Sequence, residues 1–76
     1  MHRLSDLKPG QKATINNIQQ NGPAKRRLLE MGLVRGSEIQ IICRAPLGDP
    51  IEIEIRDYKL TLRKKEADTI FVETQS

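Results

Sequence analysis

The residues able to do chemistry are few and dispersed. The chain has one histidine, His2, and one cysteine, Cys43. A nucleophile needs a base within hydrogen-bond reach and surroundings that tune both. His2 stands at a terminus expected to be mobile, and Cys43 falls on the apolar face of a strand pattern. The two have no evident way to meet, so the chain is read as a non-enzyme with no catalytic residue. Glu52 and Glu54 lie two apart on one strand face and could hold a cation weakly. Ferrous iron, however, prefers histidine with carboxylates in a defined set that leaves positions open. Lys59, expected opposite Glu54, neutralises part of that face. No metal site and no cofactor are therefore expected. The glycines of Gly32-Leu33-Val34-Arg35-Gly36-Ser37 lack the Gly-Lys-Ser/Thr ending of a phosphate loop and read as a helix cap and a turn.

Binding chemistry is better represented. Lys25, Arg26 and Arg27 crowd the first turn of the one convincing helix, where the helix dipole favours acids. Such cations either meet an acidic partner surface or solubilise a face. Nucleic acid would use the same residues, but base stacking needs aromatic platforms, and the chain has one Phe and one Tyr. In Pro46-Leu47-Gly48-Asp49-Pro50 the prolines, glycine and aspartate all have backbone reasons to occupy a turn. Leu47 has none. It either folds back over the end of the fold or stands exposed as an anchor for a partner.

The elements that must position these residues are mostly strands. Ile51, Ile53 and Ile55 alternate with Glu52, Glu54 and Arg56, and Tyr58, Leu60 and Leu62 alternate with Lys59, Thr61 and Arg63. This two-residue period marks half-buried strands. A hairpin with Arg56-Asp57 as its loop sets Ile55 against Tyr58, Ile53 against Leu60 and Ile51 against Leu62. It also sets Glu54 against Lys59, so the apolar and charged faces agree on one register. Upstream, Leu4-Ser5-Asp6-Leu7 reads as a turn that packs two leucines before Pro9-Gly10 breaks it. Gln11 to Ile18 reads as a first strand whose phase shifts at Asn16-Asn17, the mark of a bulge. Asn21-Gly22-Pro23 opens the helix, with Ala24, Leu28 and Met31 as its apolar stripe, Leu29 widening it and Gly32 as a left-handed cap. Glu38 to Arg44 follows as a strand with Ile39, Ile41 and Cys43 on one face. Lys64 to Asp68 suits one helical turn, Ile70 and Val72 a short last strand, and Glu73 to Ser76 a frayed tail. The fold class is therefore mainly β: a small five-stranded barrel with one short helix between strands one and two. An oligonucleotide-binding barrel places its helix later in the order, so the expected barrel is SH3-like.

The totals agree. Residues 1–76 are expected to form one domain with a modest core of Ile, Leu and Val. A lone cysteine excludes an internal disulfide. No apolar run approaches the length needed to cross a bilayer, and MHRLSDLKPG has none at all, so neither membrane insertion nor a signal peptide is expected. A net charge of +3 permits an acidic partner without demanding nucleic acid.

Three blocks carry a family resemblance: LLEMGLVRGSEI (Leu28 to Ile39), APLGDPIEI (Ala45 to Ile53) and LTLRKKEADTI (Leu60 to Ile70). In this order they resemble the ferrous iron transport protein A (FeoA) family over nearly the whole chain. Arg35 stands where that family commonly has proline, and Asp57 where it commonly has glycine. The resemblance implies an SH3-like barrel and a cytosolic accessory protein of bacterial ferrous iron uptake. It implies as partner the membrane transporter FeoB, through its cytosolic region. A related domain ends some iron- and manganese-dependent repressors, so a regulatory module of repressor type or a nucleic-acid binder is the alternative. The expected partner contact is an apolar anchor, Pro46 with Leu47, rimmed by Arg26 and Arg44. An exposed Leu47 and an open edge strand would also allow weak self-association.

Overall fold

The computed structural model describes residues 2–74. Six antiparallel strands form one sheet: β1 (His2–Arg3), β2 (Lys12–Ile18), β3 (Glu38–Arg44), β4 (Ile51–Ile55), β5 (Tyr58–Leu62) and β6 (Ile70–Thr74). Their spatial order is β1-β6-β2-β3-β4-β5. The mainly-β class and the helix after the Lys12–Ile18 strand are as the sequence predicts. The expected count of five strands is one short, because His2 and Arg3 pair with Val72 and Phe71. His2 is thus part of a ladder, on its exposed side, rather than on a loose terminus. The order leaves β1 and β5 as unjoined edges, so the barrel is an open one. The last strand runs on through Glu73 and Thr74, two residues expected to fray; Gln75 and Ser76 lie outside the described residues.

The hairpin register is the predicted one. Ile51 pairs with Leu62, Ile53 with Leu60, Ile55 with Tyr58 and Glu54 with Lys59. On the other side β4 meets β3, with Ile53 against Ile41 and Ile55 against Ile39. The three isoleucines of β4 are fully buried between these neighbours. The 3₁₀ turn Leu4–Asp6 closes the core from the other end with Leu4 and Leu7, joined by Ala67 of α2 (Lys64–Ala67).

Two of the four inner strands, β2 and β3, carry a bulge. In β2 the register slips between Ile15 and Asn17, as the break in alternation predicts, so Ile18 returns to the core opposite Ile70. In β3 it slips between Ile41 and Cys43. This second slip overturns the expected face of Cys43. Directly paired residues share a face, and Cys43 pairs with the half-exposed Glu52 while Arg44 pairs with the buried Ile51. Cys43 is exposed, and Arg44 takes the inward phase.

Helix α1 (Gly22–Glu30) sits at the rim of the sheet. Leu28 is its one buried side chain; Met31 is half-buried, and Ala24, expected in the apolar stripe, is exposed. The sheet and the 3₁₀ turn already fill the core, so the helix is held mainly at its end. There the Leu33 amide donates to the Leu28 carbonyl at 3.1 Å and the Gly32 amide to Leu29 at 3.0 Å, closing the last turn. Gly32 has φ +97°, and a Cβ there would collide with the hydroxyl of Tyr58, which donates to the Met31 carbonyl. In the hairpin loop the left-handed residue is Arg56, φ 55°, rather than Asp57.

Two substitutions test this backbone reading in opposite directions. Gly32→Ala imposes both the left-handed penalty and the collision, and should cost at least about 1–2 kcal/mol. Arg56→Gly removes the penalty from the loop, against the extra entropy of glycine, and should gain a few tenths to about 1 kcal/mol. Urea unfolding midpoints at unchanged slope would report both.

Candidate partner-docking surfaces

The turn between β3 and β4 is built to be stiff. The Gly48 amide donates to the Ala45 carbonyl at 2.7 Å, and the Ala45 amide to the Pro50 carbonyl at 3.1 Å. Asp49 reaches outward, and its carboxylate accepts the Lys64 amide at 3.0 Å, which fastens the turn to the start of α2. The Asp49–Pro50 peptide is cis. Nothing holds Leu47 back. It is 95% exposed, so of its two predicted fates it takes the second, a leucine presented to solvent from a braced tip. Pro46 beside it is exposed as well.

The two arginines expected to rim this anchor are placed differently. Arg44 lies beneath the turn: its Nη2 would stand 3.8 Å from a Cβ on Gly48, and its Nη1 donates to the Leu7 carbonyl at 3.1 Å. Its Nε is buried without a protein partner. Half-buried and turned inward by the β3 bulge, Arg44 is a strut under the turn more than a rim charge. Arg26 is exposed on α1. The helix cation that makes an ion pair is its neighbour Arg27, whose Nη1 lies 3.3 Å from Glu66 of α2. Both groups being partly in water, this bridge adds little stability. It does show α2 bridging the turn, through Asp49, and helix α1, through Arg27.

A second surface escapes the sequence. Between α1 and the bulged half of β2 lies a cleft of about 650 Å³, floored by Ile18, Leu29, Leu33 and Phe71. Leu29 is 39% exposed there, while Lys25, half-buried, and Arg35 stand over it. The available signal was Leu29 widening the helix stripe together with the break at Asn16-Asn17. Only the fold shows that these face each other.

Among the described residues no three His, Cys, Asp or Glu side chains gather as metal ligands. Glu52 lies opposite Thr61 and Glu54 opposite Lys59, the register expected for this strand face. No helix among these residues is long and apolar enough to cross a membrane.

The family model for the FeoA domain matches residues 2–74. The chain belongs to the FeoA family. A relative from Porphyromonas gingivalis, an Fe(2+) transport protein A/Fe(2+) transporter FeoB fusion protein, is 42% identical over 71 residues. That match takes in 93% of this chain and 8% of the relative, so the chain spans a small part of the fusion's length. The solution structure of the FeoA protein from Chlorobium tepidum superposes with a TM-score of 0.92 at 39% identity, over 99% of this chain and 71% of that one. FeoA from Stenotrophomonas maltophilia, a prokaryotic SH3 domain protein solved in complex with zinc, superposes at 0.84 with 28% identity, over 96% and 91% of the two chains. The fold of this FeoA domain is thus SH3-like, as its strand and helix order predicts.

Within this FeoA domain α2 is tied down by a second carboxylate. The Ser5 hydroxyl donates to Asp68 Oδ1 at 2.5 Å, and the Lys64 ammonium lies 3.4 Å from Oδ2. The Ser5 hydrogen bond, against some desolvation and with help from Lys64, holds the Asp68 carboxyl below its ordinary value. A depressed carboxylate stabilises the fold above its unfolded pKa, about 3.9, and ceases to do so as pH falls through the lower folded value. Ser5→Ala should therefore lower the melting temperature at neutral pH, with the gap from wild type closing as pH falls below about 4. Calorimetry across that range would check it.

Proposed function

We propose that this chain is a cytosolic, non-enzymatic accessory module of bacterial ferrous iron uptake, which acts by binding the cytosolic region of a FeoB-type transporter and modulating its uptake activity. The observation that carries the reading is Leu47: a large apolar side chain, 95% exposed, on a turn braced by backbone bonds, by Asp49 and by Arg44 from below. Ordering costs little at such a tip, so the burial of one leucine goes largely into binding. The relative in which FeoA and FeoB share one chain supports the choice of partner. Tethering raises the effective concentration of one part near the other, which suits an interface too small to hold alone. The two aromatics do not form a stacking platform: Phe71 lines the cleft, while the Tyr58 hydroxyl bonds the end of α1. The nucleic-acid alternative therefore gains no support from their placement.

Leu47→Asp should leave the unfolding midpoint within about 0.5 kcal/mol of wild type, as expected of an exposed site. It should weaken capture of the transporter's cytosolic region by about tenfold or more. Calorimetric titration with that region measures the second effect. Binding unchanged by the substitution removes the turn as the contact, and failure of wild type to bind removes the partner.

A further inference from the structure

We propose that the cleft beside α1 is a second docking site, shaped for a segment of a partner protein that carries one large apolar side chain flanked by carboxylates. The inference rests on the reading of the chain as a protein-binding module and adds the chemistry of what it binds.

The floor is apolar and already formed. Ile18, Leu29, Leu33 and Phe71 converge from β2, α1, the loop after it and β6. A single half-exposed leucine on a helix face is ordinary on a protein surface. Here Leu29, 39% exposed, and the half-buried Phe71 stand over the buried Ile18 and Leu33 in one concavity of about 650 Å³, within the range of true ligand sites. The helix does not need Leu29 for its own attachment, because Leu28 and the Gly32 cap provide it.

The charge of the rim selects the occupant. Lys25 and Arg35 line the cleft, and no carboxylate does. Lys25 precedes Leu29 by four residues, which puts both on one helix face. The first turn of α1 contains no acidic residue, so the helix dipole adds to the same positive field. An acidic segment gains from both cations, whereas a basic one meets repulsion from them. A nucleic acid would find one ring, Phe71, and no second platform for stacking.

The test uses the whole chain, labelled with ¹⁵N, and three probes: a short acidic peptide of Glu and Leu, its basic counterpart with Lys for Glu, and the cytosolic region of the transporter. The acidic peptide should shift amide signals of Ile18, Leu29, Leu33 and Phe71 and bind at least about tenfold more tightly than the basic one. Leu29→Glu, at a site exposed enough to keep the fold, should abolish those shifts. Lys25→Glu with Arg35→Glu should reverse the peptide preference while the floor stays intact. Equal binding of the two peptides by wild type, or acidic-peptide binding that ignores both variants, overturns the proposal. Transporter binding that is lost with Leu47→Asp but untouched by Leu29→Glu, with no acidic-peptide binding, overturns the cleft and leaves the accessory reading standing. Acidic-peptide binding in the cleft without transporter binding does the reverse.

Discussion

The isoleucine row of β4 is the constraint on which the rest depends. Ile51, Ile53 and Ile55 are buried between partners on both sides, and a slip of one residue would turn all three to solvent and bring Glu52 and Glu54 inward. No compensation exists for two carboxylates in an aliphatic core. The register of the β3-β4-β5 ladder is therefore strongly specified, and both ends of β4 are fixed with it. One end leads into the hairpin loop at Arg56-Asp57, the other into the braced turn that holds out Leu47.

The two proposed docking surfaces sit where the ladder is interrupted. The β3 bulge turns Arg44 inward under the Leu47 turn and Cys43 outward, and the β2 bulge lies along the wall of the cleft. A bulge bends its strand and re-aims the side chains beyond it. In a sheet this small, two of them let a rigid core carry two exposed apolar features. Helix α2 links those features physically, through Asp49 to the turn and through Glu66 to Arg27 of α1.

Much of this was legible in the residues. The alternation of Ile51 to Leu62 specified both faces of the hairpin, and the phase break at Asn16-Asn17 specified the β2 bulge. The Gly32 cap followed from the end of the helix stripe. What remained hidden had physical causes. Ile42 continues an apolar run, so nothing local marks the β3 bulge, and simple alternation puts Cys43 on the wrong face. His2 and Arg3 form too short a strand to show any period; their pairing is decided by the edge that β6 offers. The cleft is a juxtaposition of α1 with β2 and β6, and residues distant in sequence reveal it only once folded. Leu47 was legible as a residue without a backbone reason, but its exposure depended on the core being full without it.

Amide hydrogen exchange of the whole chain, with and without the cytosolic region of the transporter, tests the account most directly. Added protection is expected in the turn from Ala45 to Pro50 and along the α1 face of the cleft, with β4 unchanged because its protection already belongs to the core and the open edge of β5 unchanged because no partner covers it. Protection confined to the open edge of β5, with the turn and the cleft exchanging as in the free chain, would contradict it.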